Sequence, residues 1–80
     1  MARYFFDVDD GDHSRDDEGL DFVSVDAACD QALASLPDIA KGCVSERTKE
    51  EVSITVRNGG GRAVFRATLV IKAEWLVDAP

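Results

Sequence analysis

The sequence predicts an α+β fold: a small, mostly antiparallel sheet in the order β-β-α-β-β with one helix packed on one face. Three observations carry that prediction. Apolar residues alternate at period two near both ends of the chain, and a stripe at helical spacing fills the middle. Asn58-Gly59-Gly60-Gly61 separates two alternating runs, as a hairpin loop does. With 80 residues, of which 45% are hydrophobic and 31% charged, residues 1–80 suit one domain with a single thin core.

Each element has its own local cause. From Arg3 to Val8, Tyr4, Phe6 and Val8 occupy one face and Arg3, Phe5 and Asp7 the other, the pattern of a strand. Asp9-Asp10-Gly11-Asp12 ends it, and Leu20-Asp21-Phe22 reads as a short second strand beyond a wide acidic loop or loose hairpin. Ser24 is a helix N-cap, and Asp26 places a negative charge in the first turn, where the helix dipole favours it. Val25, Cys29, Ala32, Leu36, Ile39 and Cys43 then recur at spacings of three and four, forming one apolar stripe. Pro37 removes a backbone bond from this helix and predicts a kink or break near Leu33 to Leu36, with the helix ending about Gly42.

The last two strands are expected over Glu51 to Arg57 and Ala63 to Trp75. A two-residue Gly59-Gly60 turn would set Val56 opposite Ala63, Ile54 opposite Phe65 and Val52 opposite Ala67, so that inward residues meet inward residues. An odd-numbered loop would need a bulge to restore that match. In this register Glu50 faces Leu69, and Val70, Ile71, Trp75 and Leu76 run on in need of a partner.

Composition narrows the classes of function. Sixteen acidic side chains against nine basic ones leave a net charge of −7, which disfavours a broad grip on nucleic acid or an anionic membrane. The acidic excess lies in residues 1–40, with eleven acidic and two basic side chains; residues 41–80 carry five and seven. No apolar run is long enough to span a bilayer, and Met1-Ala2-Arg3-Tyr4-Phe5-Phe6-Asp7 lacks the features of a secretory signal. Cys29 and Cys43 on one helix stand about 21 Å apart, too far for a disulfide, so reduced thiols and a cytoplasmic location are expected.

Few residues suggest chemistry. Asp7, Asp9, Asp12 and Glu18 occupy positions 1, 3, 6 and 12 of a calcium-loop pattern, but the glycine stands at 5 and no helix leads in, so they are weak metal candidates only. His13 and Ser14 sit in a loop that offers no enclosed pocket for a nucleophile and base. No catalytic residue and no cofactor are therefore expected. Arg57, Arg62, Arg66 and Lys72 form a cationic row on the outward face of the hairpin, with no aromatic residue among them for base stacking. Phe5 lies opposite Tyr4 and Phe6, and a strand with aromatics on both faces is covered on both sides; Phe5, Val70, Trp75 and Leu76 are the interface candidates.

The opening Met1-Ala2-Arg3-Tyr4-Phe5-Phe6-Asp7, the following Asp-Gly, and Arg15-Asp16-Asp17-Glu18-Gly19 resemble a family of short uncharacterised bacterial proteins, a domain of unknown function. Its members open M-x-R-Y-[FY]-F-D and continue with a D-x-x-G element, an Ala-rich helix and a C-terminal strand pair. The resemblance spans essentially the whole chain. It implies the fold and a bacterial cytoplasmic setting, and it brings no activity or site residues. Pro37 and the helical cysteines depart from the family's plainer helix. In architecture alone the order of elements is also similar to the HicB-type antitoxins. The function expected is thus a non-enzymatic, cytoplasmic binding or regulatory module that associates with itself, an unidentified protein, or both. The alternative is an antitoxin-like protein that neutralises a nuclease and touches nucleic acid through the hairpin arginines.

Overall fold

The computed structural model describes residues 1–43 and 49–78. Five strands and one helix follow in the order β1 (Ala2–Asp9), β2 (His13–Ser14), β3 (Leu20–Phe22), α1 (Val25–Cys43), β4 (Lys49–Arg57) and β5 (Ala63–Lys72). All pairings are antiparallel, and the sheet runs β2-β1-β4-β5, with β3 on the N-terminal half of β1. The α+β class is as the sequence predicts. The added strand is β2, inside the acidic segment. A turn through Asp10-Gly11-Asp12, with Gly11 at φ 108°, folds Ser14 back against Val8.

Ser24 caps α1: its Oγ accepts the Ala27 amide at 3.2 Å. The helix continues through Pro37 without interruption, which excludes a break. Leu33, whose carbonyl loses the Pro37 amide as donor, and Pro37 itself both lie on the exposed side. The buried line of α1 is Ala28, Ala32, Leu36 and Ala40. It shares Ala32 and Leu36 with the stripe that the sequence suggests and is rotated from the rest: Cys29 and Ile39 flank it, Val25 is exposed, and the Cys43 side chain lies outside the described residues. The physical reason is closeness of approach. Methyl side chains let the helix backbone settle onto Val52, Ile54 and Val56, which are fully buried, and larger groups seal the margins. Phe22 from β3 closes one margin, meeting Tyr4 and Phe6 edge-on at 6.2 and 5.7 Å between ring centroids.

The β4–β5 hairpin keeps the expected parity but not the expected register. The Asn58 amide donates to the Arg62 carbonyl and the Gly61 amide to the Asn58 carbonyl, both at 2.9 Å, which makes a three-residue loop with Gly61 at φ 84°. A bulge between Val56 and Arg57 then restores the match. Val56 pairs with Phe65, Ile54 with Ala67, Val52 with Leu69 and Glu50 with Ile71, two residues further along β5 than a two-residue turn gives. As a result Val70 and Ile71 have partners on β4, and the strand ends at Lys72 instead of reaching Trp75.

Candidate functional site

On the sheet face away from the helix, three residues remote in sequence form a clasp. Arg57 stands opposite Phe5 on β1, with its guanidinium carbon 5.1 Å from the centre of the Phe5 ring. From there it forks onto Asp7, two residues along the same face: Nε donates to Oδ2 at 2.6 Å and Nη2 to Oδ1 at 3.0 Å. Nη2 also donates to the Asp16 carbonyl at 2.8 Å. The two side chains are only 11% and 10% exposed, so this is an interior ion pair and not a surface contact.

Asp16 completes the arrangement. Its amide donates to Asp7 Oδ1 at 3.0 Å, and its carboxylate accepts the amides of Glu18, Gly19 and Phe6 at 3.0 to 3.1 Å. The Phe6 bond is informative. Between the stretches of β1 paired with β2 and with β3, Asp16 takes the bond that a neighbouring strand would take. Gly19 lies at φ 70°, and a Cβ there would stand 2.8 Å from the Tyr4 carbonyl oxygen and 2.9 Å from Arg3 Cγ. The Asp16-to-Gly19 turn is therefore packed onto β1. Outside it, Arg3 pairs with Asp21 at 3.1 Å and donates to the Glu18 carbonyl, an exposed contact of small energetic weight.

The ionisation of the clasp follows from these bonds. The hydrogen bond from Arg57 holds the Asp7 carboxyl below the ordinary carboxylate range, with burial opposing and the Asp16 amide assisting. Burial works to raise Asp16, yet the amides of Phe6, Gly19 and Glu18 together hold it low. Carboxyls that are lower in the folded than in the unfolded chain stabilise the fold above the unfolded value of about 4 and cease to do so as pH falls through the folded values. The thermal midpoint is accordingly expected to be level from about pH 7 to 5 and to fall steeply below about pH 4. Circular-dichroism melts across that range check this, and Asp16→Asn should flatten the acid limb. A midpoint that holds unchanged to about pH 2 would contradict the assignment.

The other candidates divide clearly. Asp7, Asp9, Asp12 and Glu18 do not converge: among the described residues no group of three or more His, Cys, Asp or Glu is placed to hold a metal ion. Asp7 is engaged by Arg57, and Asp9 Oδ1 accepts the Gly11 amide. His13 and Ser14 are exposed neighbours on β2, so their side chains point to opposite faces. Burial, with the charges of Asp26 and Asp30, pushes the Cys29 thiol up, making it a weak nucleophile. Arg57 is withdrawn from the cationic row of the hairpin, and Arg66 donates to Thr55 Oγ1 at 2.9 Å. Phe5 is half-buried beneath Arg57 and beside Gly19, so its second cover comes from within the chain.

The remaining interface candidates lie at the opposite edge. Among the described residues β5 has a strand on one side only. Beyond it Trp75, Leu76 and Val77 are 68%, 87% and 72% exposed, and Val64 and Val70 project from the outer face of the strand itself. A family model described as a domain of unknown function, DUF6894, matches residues 3–70. The chain belongs to this family. The match takes in the clasp, the helix and most of the hairpin of the DUF6894 domain, and it ends within β5. No curated protein matches the chain, and no solved structure does.

The clasp is what sequence reasoning missed. Asp7 and Arg57 are fifty residues apart, and the sequence offered them only separately, Asp7 as an outward strand residue and weak metal candidate and Arg57 as one of a cationic row. A usable signal did exist in the D-x-x-G spacing, since an aspartate three residues before a left-handed glycine caps its own turn. Among the described residues no helix is long and apolar enough to cross a membrane.

Proposed function

We propose that this DUF6894 domain is a non-enzymatic binding module of the bacterial cytoplasm that associates with itself through its C-terminal strand and presents its acidic loop to a basic partner. The observation that carries the proposal is the run Trp75-Leu76-Val77, largely exposed and adjoining the open edge of β5. A contiguous apolar patch of this kind is characteristic of an interaction surface. A chain of 80 residues, whose core rests on alanines and three fully buried aliphatic side chains, also has much to gain from burial between subunits. The acidic loop suits a basic partner because the clasp holds its base in place, while Asp9, Asp12, Asp17 and Glu18 remain exposed at its surface.

Light scattering at low and high salt tests the self-association. The wild-type chain should have the mass of a dimer in both, since an apolar contact resists screening. Trp75→Ala should shift it to a monomer that is still folded by circular dichroism, with a thermal midpoint lowered by the loss of burial between subunits. A monomer in every condition rules out self-association and leaves the acidic loop as the surface to probe.

A further inference from the structure

We infer that two copies of the chain pair β5 to β5, antiparallel about a two-fold axis at Thr68, and so join their sheets into one. This rests on the self-association proposed above and specifies its register. The strand has ten residues and no proline, and among the described residues one of its edges is open. A long unpaired edge of this kind is a ready template for another strand.

Symmetry limits the registers. In an antiparallel pair, facing residues project from the same side, so a strand pairing with its own copy must be centred on a residue and not between two. Charge then decides among the possible centres. Centring on Arg66 sets that arginine against itself. Centring on Ala67 sets Arg62 against the partner's Lys72, and centring on Leu69 sets Arg66 against the partner's Lys72; symmetry repeats each repulsion. Centring on Phe65 or on Val70 leaves only residues 63–67 or 68–72 paired within the strand.

A centre at Thr68 pairs residues 64–72 and avoids every like-charge contact. Arg66 meets the partner's Val70, and Lys72 meets the partner's Val64. On the helix side Phe65 meets the partner's Ile71 and Ala67 the partner's Leu69, so Phe65, Leu69 and Ile71, now half-buried at the margin of the core, are covered. Just beyond the strand, Arg62 comes opposite the partner's Glu74, twice by symmetry. Both side chains are exposed, and among the described residues neither has an ion-pair partner within the chain. The same register brings Trp75 level with the partner's Gly61, where the space a side chain would occupy is open. The two-fold axis is perpendicular to the sheet, so both helices lie on one side of it.

The test is a charge swap on the full chain, with dissociation constants from sedimentation equilibrium and folding checked by circular dichroism. Arg62→Glu and Glu74→Arg should each weaken the dimer by about tenfold, because two attractive contacts become repulsive. The double variant should return to near the wild-type value. Singles that weaken and a double that recovers support the Thr68 register. A wild-type dimer whose double variant stays as weak as the singles overturns the register and leaves self-association standing. A wild-type monomer overturns both.

Discussion

Arg57→Ala lowers the thermal midpoint by more than about 10 °C, the largest effect expected of any single truncation on the outer face of the sheet. Removing one partner of an interior ion pair leaves the other charge buried without compensation, and here the loss spreads. Asp7 loses both bonds of its fork, the Asp16 carbonyl loses its donor and Phe5 loses its cover. Arg57→Lys recovers only part of the stability, because an ammonium is a point charge and cannot bridge Asp7 and the Asp16 carbonyl as a planar fork does. Thermal unfolding at pH 7 of the three chains decides the matter. A fall of less than about 3 °C for the alanine variant would mean that the clasp is a by-product of the fold and not a support of it.

Gly19→Ala is the second. The site combines a left-handed backbone with a Cβ position 2.8 Å from a backbone oxygen that β1 holds in place. The conformation costs about 1–2 kcal/mol and the forced displacement about 1–3 kcal/mol more. Gly61→Ala provides the control, because Gly61 shares the positive φ, at 84°, but has nothing within 4 Å of the added carbon. Its loss should stay near the conformational cost alone, about 1–2 kcal/mol. Urea unfolding of both variants separates strain from contact, and equal losses would show that the turn is not packed on β1 as described.

How much of this was readable in the sequence depended on the range of the cause. Ser24 capping α1, the alternation in β1 and the breaking signal at Asn58-Gly59-Gly60-Gly61 act over a few residues, and each stands where its pattern places it. The rotation of the helix stripe was hidden because alanine carries little hydrophobic signal: Ala32 and Leu36 were legible, but Ala28 and Ala40, which join them beneath the helix, were not. The hairpin register turned on whether the glycine loop used two residues or three, and composition favours neither. Parity survived because a half-buried strand must keep its apolar side inward, and the bulge at Arg57 is how the chain satisfied that demand. The clasp was out of reach for a different reason: it exists only once β1 and β4 are neighbours and Asp16 has folded back on both.

The bond from the Phe6 amide to Asp16 also divides the acidic segment by its tolerance of length. Residues 16 to 19 are measured against β1 at both ends, by a carboxylate that must reach three amides and a glycine that must lie flat, so adding or deleting one residue there disconnects the seal. The tip around Gly11 is built differently: nothing stands within 4 Å of where a Cβ on Gly11 would lie. The Gly11 and Asp12 amides bond to Asp9 and Asp10 within the turn, and lengthening the loop at Gly11 adds only slowly to the entropy of closing it. Variation among related chains has a natural outlet at that tip, where new residues could alter what the domain meets without touching how it folds.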